Sequence, residues 1–178
     1  MMLKYSAIGE DLSIMDRFIH LHLPHSQWQK AALAGLGTAL AIGLLGYFSE
    51  VTTFIMLVAP FGASCVLMFG MPSSPVSQPI NVVGGHMFSA VIGLALHFIL
   101  PGSVVAEGMA VGLAVAGMML LRIVHPPAGA TALVAYLTAT SWLFLFFPVA
   151  VGSVALVLIA AIYHRLTKAT YPHPVPKT

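Results

Sequence analysis

The chain has 178 residues, with seven Lys and Arg against five Asp and Glu and a net charge of +2. Charged residues make up 7% and hydrophobic residues 59%, and the mean hydropathy is +0.97. So little charge cannot cover a soluble surface, which predicts an all-α polytopic membrane protein, and the small net charge excludes nucleic acid as a partner.

Residues 1–30 carry Lys4, Glu10, Asp11, Asp16, Arg17 and Lys30. They lack the basic, apolar, cleavage-site order of a signal peptide and read as a cytoplasmic arm, with Ile8 to Leu23 lying in the membrane interface. Six apolar segments follow. The first runs from about Ala31 to Phe48, and the second from Val51 to Gly70, interrupted at Pro60. A proline-rich connector, Met71 to Asn81, leads to the third, Val82 to Leu100. The fourth is Val104 to Val124, the fifth Pro127 to Thr140, and the sixth Trp142 to Tyr163. Residues 31–165 form the predicted transmembrane domain, and 166–178 a cytoplasmic tail.

A spanning helix needs about 20 residues, which the first, third, fourth and sixth segments approach or exceed. The other two are compromised. Pro60 disfavours helix just before it, leaving Val51 to Ile55 as a short extended piece. The fifth segment reaches only about 20 Å. Lys4, Arg17 and Lys30 precede the first span, Arg165, Lys168 and Lys177 follow the last, and only Arg122 lies between. The positive-inside rule then makes both termini cytoplasmic and the number of crossings even. Four crossings with parallel repeats, or six with inverted repeats, both satisfy it.

The repeats are read from an internal echo. Pro60-Phe61-Gly62-Ala63-Ser64 returns 67 positions later as Pro127-Ala128-Gly129-Ala130-Thr131. At the same offset Ser74 matches Ser141, Val82 matches Val149, Gly85 matches Gly152, Ile92 matches Ile159 and His97 matches His164. Repeat 1 covers about 31–100 and repeat 2 about 103–165. Broken helices in matching places mark a solute site, because irregular backbone at membrane depth must line a cavity or be buried in protein.

The candidate site residues follow from that chemistry. Free N–H groups of Gly62, Ala63, Ser64, Gly129, Ala130 and Thr131 at two half-helix N-termini, with the positive end of each helix dipole, suit a small anion. Arg122, read as an intramembrane cation, supplies long-range attraction. His125 and His86 are candidate gating or proton-linked groups, and Gln78 and Asn81 join His86 at the cavity. His97 and His164 read as interfacial anchors. Gly108 and Gly112 read as a helix-packing face. The ten methionines are scattered, as packing residues are. One cysteine, Cys65, excludes an intrachain disulfide. Neither a cofactor nor a metal site is predicted, and the motifs of metalloproteases, serine hydrolases and Walker-loop enzymes are missing, so the chain is not expected to be an enzyme.

At Leu121 to Ala130, which contains His125-Pro126-Pro127, the sequence resembles the HPP family of integral membrane proteins. Ala59 to Ser64, Pro72 to His86 and the ending Arg165 to His173 resemble the family's other signatures, so the resemblance covers roughly residues 28 to 174. Members are usually described with four transmembrane spans, and some carry a CBS regulatory domain after the membrane part, which is not expected here. Chloroplast and cyanobacterial members are implicated in nitrite transport. The resemblance therefore implies membrane transport of a small inorganic anion, nitrite first, between the two half-helix N-termini. A passive channel for small neutral solutes, or a non-transporting sensor or partner subunit, are the alternatives. The expected setting is a bacterial cytoplasmic membrane, with the lipid bilayer as partner and a homo-oligomer as the assembly.

Overall fold

The computed structural model describes residues 18–21, 25, 27–100, 102–138 and 141–174. Most of the arm expected over Ile8 to Leu23 lies outside them. The described chain is helical in six main elements. Helix α1, Trp28–Val51, is longer at both ends than the expected first segment and spans about 36 Å. It stops where Thr52 turns extended (φ −117°, ψ 165°), with both its N–H and its hydroxyl on Phe48 O. Val51, expected in an extended piece reaching Ile55, is still helical; extended backbone starts at Thr52, within a bend over residues 52–54. The Met56 N–H, freed from any helix, donates to Ser49 Oγ at 2.8 Å.

Helix α2 starts with Pro60 at its first position, where a missing N–H costs nothing, and runs Pro60–Cys65. One wider π-type turn, Val66–Gly70, continues it. The connector folds back on itself: Ser77 Oγ donates to Met71 O at 2.9 Å, and Gln78 Nε2 to Pro72 O and Ser74 O at 2.9 Å each. Helix α3 is Pro79–Ile99. Helix α4, Val104–Leu120, is capped by Ser103, whose hydroxyl accepts from Ala106 N–H, and Glu107 sits favourably in its first turn. It ends four residues earlier than expected. The stop is a Schellman cap, with Ile123 N–H on Met118 O, Arg122 N–H on Met119 O, and Arg122 left-handed at φ 60°. Helix α5, Pro126–Thr138, begins one residue before the expected Pro127. The sixth expected segment is broken at Phe147 (φ −125°, ψ 117°) beside Pro148. Beyond the wide turn Leu145–Ala150, helix α6 covers Val151–Leu166 and ends in the same cap with Lys168 at φ 58°.

Three of these elements are long and apolar enough to cross a membrane, namely α1, α3 and Leu145–Leu166. Large side chains such as Leu40, Leu44, Leu113 and Leu158 stand exposed, while Ala41, Ala110, Ala114 and Ala160 are buried. Small residues inside and large apolar residues outside are what helices in lipid require. The chain is an all-helical polytopic membrane protein.

Packing crosses the two halves of the sequence. Leu45 of α1, Phe61 and Met68 of α2, and Leu156 and Ala160 of α6 share one core. Ala106 and Ala110 of α4 and Tyr136 of α5 form another, against Leu96 of α3. Each three-helix group thus takes its third helix from the other half. Gly93 of α3 admits the backbone of α5 at Ala132, and Gly37 of α1 admits the Phe69 ring at the end of α2. Tyr163 near the end of α6 donates its O–H to Leu33 O near the start of α1 at 2.7 Å. The start of α1, the connector and the ends of α4 and α6 therefore share one face.

Candidate functional site

Four side chains from different parts of the chain meet in the middle and are fully buried: Ser64, His86, His125 and Thr131. Ser64 Oγ lies 2.8 Å from His86 Nε2 and 2.9 Å from His125 Nε2. His86 Nδ1 lies 2.7 Å from Thr131 Oγ1, and His125 Nδ1 lies 2.7 Å from Val76 O. The two imidazole centroids are 4.9 Å apart, and the Phe61 ring meets His86 edge-on at 5.1 Å.

Local structure explains the convergence. Ser64 and Thr131 each sit just past the first turn of a helix that starts with proline, α2 and α5. His86 follows Gly84 and Gly85 on α3. A Cβ on Gly85 would stand 2.8 Å from His125 Cβ and 3.1 Å from Ile123 O, so only glycine lets the loop between α4 and α5 lie against α3 here. Asn81, in the first turn of α3, ties the same loop down by donating to Val124 O at 2.9 Å.

The proton positions follow from one fixed acceptor. Val76 O only accepts, so His125 Nδ1 carries a proton. With both imidazoles neutral, His125 Nε2 accepts the Ser64 proton. Ser64 Oγ then accepts from His86 Nε2–H, and His86 Nδ1 accepts from Thr131 O–H. Every ring nitrogen has a partner, and the donors all point from Thr131 towards Val76, as buried polar groups demand.

Not all expected site residues are here. Gly62 and Ala63 face outward, as does Ala130, while Gly129 is buried. The Gly62 N–H is not free, because Ala59 is already helical and its carbonyl accepts that proton at 3.1 Å; Ala128 N–H is likewise held by His125 O. Arg122 stands exposed past the end of α4, outside the buried group of four. Gln78 braces the connector and accepts from His173 N–H at 2.8 Å through Oε1. His97 and His164, expected as interfacial anchors, each hold a carbonyl of a short element, Tyr136 O at 2.6 Å and Met68 O at 2.8 Å. A Cβ on Gly108 or Gly112 would meet nothing within 4 Å among the described residues.

Sequence reasoning missed two features. Val76 acts through its carbonyl, which no residue type signals. The other is a groove of about 530 Å³ lined by Thr53, Phe54, Val58, Ala59, Val134 and Pro148, among others. Ala59 adjoins Pro60, and Val134 lies one turn beyond Thr131. Phe54 and Phe147 stack across the two chain breaks at 4.3 Å. Pro148 inside an apolar run was the available signal for the second break.

These features define a helical membrane protein with a polar group sealed at its centre. The chain belongs to the HPP family: the family described as HPP, transmembrane region, matches residues 23–172. Two Dictyostelium discoideum proteins, each named only as a transmembrane protein, are similar to it. One is 40% identical over 75% of this chain and 46% of its own length, and the other 33% identical over 79% and 53%. The chain thus spans about half the length of the curated relatives it matches. No solved structure matches it.

Proposed function

We propose that the protein carries a small inorganic anion, nitrite first, across a membrane. One observation carries the reading. The first turns of two proline-started helices converge, through Ser64 and Thr131, on the buried His86, one turn from a groove roomy enough for a small ion. The solute meets hydroxyl and imidazole donors there rather than the bare backbone N–H groups expected from the sequence, and nitrite accepts several such bonds at once.

The pathway runs from the groove, through the four side chains, to the connector at Val76. Ser64 and Thr131 part to let the ion through. The internal repeat belongs to this reading and is supported by paired contacts. Gly85 stands against Ile123 O, and Gly152 against Met56 O, each residue lying 67 positions from its counterpart. His97 with Tyr136 and His164 with Phe69 form a second such pair. Inverted repeats of three elements each, six crossings and cytoplasmic termini fit these pairs. Lys30, Arg122, Arg165 and Lys168 then lie towards one face, as the positive-inside rule asks.

Reconstitution in liposomes tests the function. Saturable nitrite uptake above protein-free vesicles is expected. Uptake that rises with acidity without saturating in the anion would instead favour a passive path for neutral nitrous acid. No uptake under any gradient would sink nitrite transport by this chain.

A further inference from the structure

We propose that Ser64, His86, His125 and Thr131 form a binding site for one proton that couples proton movement to anion movement; the coupling rests on the transport reading above, while the proton site does not. The network accepts an extra proton without stranding a donor at His125 or Ser64. When His125 Nε2 becomes a donor, it donates to Ser64 Oγ, which has two lone pairs. The Ser64 proton then turns to His86 Nε2 at 2.8 Å or to Pro60 O at 3.2 Å. His125 Nδ1–H keeps Val76 O throughout.

The step balances. A hydronium ion that reaches Thr131 from the groove loses one proton to its hydroxyl, and the electron pair stays on the water released. Thr131, His86 and Ser64 each take one proton and give one, and a new N–H bond forms on His125. With ring centroids 4.9 Å apart, two adjacent imidazolium ions repel, so the site takes one proton and not two. That one positive charge at the centre of the protein is the counter-ion a monovalent anion needs to enter.

Several packed elements bring titratable groups near His125 among the described residues. His86 comes from α3, Cys65 lies beside Ser64 on α2, and Arg122 follows α4. Tyr171 and His173 of the tail rest on the connector at Ser77 and Gln78. None of these is a carboxylate that would hold the proton in place of His125.

The test uses the full chain in liposomes with the potential clamped at zero, reading internal pH and nitrite together and subtracting protein-free vesicles. Acid outside should drive nitrite inward together with protons, and one pH unit should hold a nitrite ratio of about tenfold. Ser64→Ala keeps both imidazoles and should bring that ratio towards one, whatever its downhill rate. Nitrite influx indifferent to the pH gradient in the natural chain overturns the coupling and leaves anion transport intact. If nitrite does not move at all, anion transport fails, and the proton site is decided by 15N-histidine NMR in nanodiscs. Neutral His125 should carry its proton on Nδ1 and His86 on Nε2, with the first added proton on His125 in the natural chain. The opposite tautomers, or a first proton elsewhere, overturn the site.

Discussion

Ser64 and Thr131 hold opposite nitrogens of one imidazole, at 2.8 Å and 2.7 Å from His86 Nε2 and Nδ1. They come from the two copies of one five-residue motif, yet only Ser64 also touches a second ring, His125. Removing Ser64 Oγ strands two buried ring nitrogens, and removing Thr131 Oγ1 strands one. Leaving a buried polar group unpaired costs about 1–3 kcal/mol. Ser64→Ala should therefore destabilise the protein more than Thr131→Val, as measured by thermal unfolding in detergent. Equal losses would show that the Ser64–His125 bond adds nothing.

Glycines divide by what a methyl group would meet. At Gly93 it would run into the Ala132 carbonyl and the Ala135 side chain, while at Gly108 it would meet open space. Gly93→Ala is expected to cost about 1–3 kcal/mol through overpacking. Gly108→Ala should stabilise by up to about 1 kcal/mol through helix propensity. Detergent denaturation of the two variants checks this, and similar behaviour of both would refute the close approach of α3 and α5.

Arg122 is held at φ 60°, where a side chain costs about 1–2 kcal/mol over glycine. Arg122→Gly should raise the unfolding midpoint. Arg122→Gln should leave folding unchanged and lower nitrite uptake only at low ionic strength, because an exposed charge is screened within about 10 Å in 0.1 M salt. A loss that persists in high salt would place Arg122 on the solute path after all.

Tyr171 links pH to the tail. Burial pushes its phenol up from 10.0 to about 12, and its O–H donates to Ser77 O at 3.0 Å. A folded-state value above the unfolded one favours the neutral form in the fold. This stability is fully present below pH 10 and is lost as pH rises through about 12. Tyr171→Phe should be less stable at neutral pH and should flatten the alkaline fall, as read from urea unfolding at several pH values.

Much of this architecture was legible because membrane spans and proline breaks write themselves into composition. Residues 31–48 and 82–100 read as helices from apolarity alone, and Pro60 and Pro127 flagged the short elements. The meeting of Ser64, His86, His125 and Thr131 was foreshadowed by residue type, since a buried imidazole between hydroxyls needs those groups. Direction and exposure were not legible. Gly62 and Ala63 point outward because helical geometry at Ala59 starts the turn earlier than Pro60 suggests. Arg122 stands outside the buried group because α4 closes there in a left-handed cap, a conformation usually announced by glycine. Val76 was invisible because it contributes only a carbonyl.

The tail has a mechanical meaning. Tyr171 and His173 grip Ser77 and Gln78 through bonds of 3.0 Å and 2.8 Å, next to the residue whose carbonyl receives the His125 proton. Whatever holds residues 171–173 therefore also braces the segment whose Val76 carbonyl takes the His125 N–H.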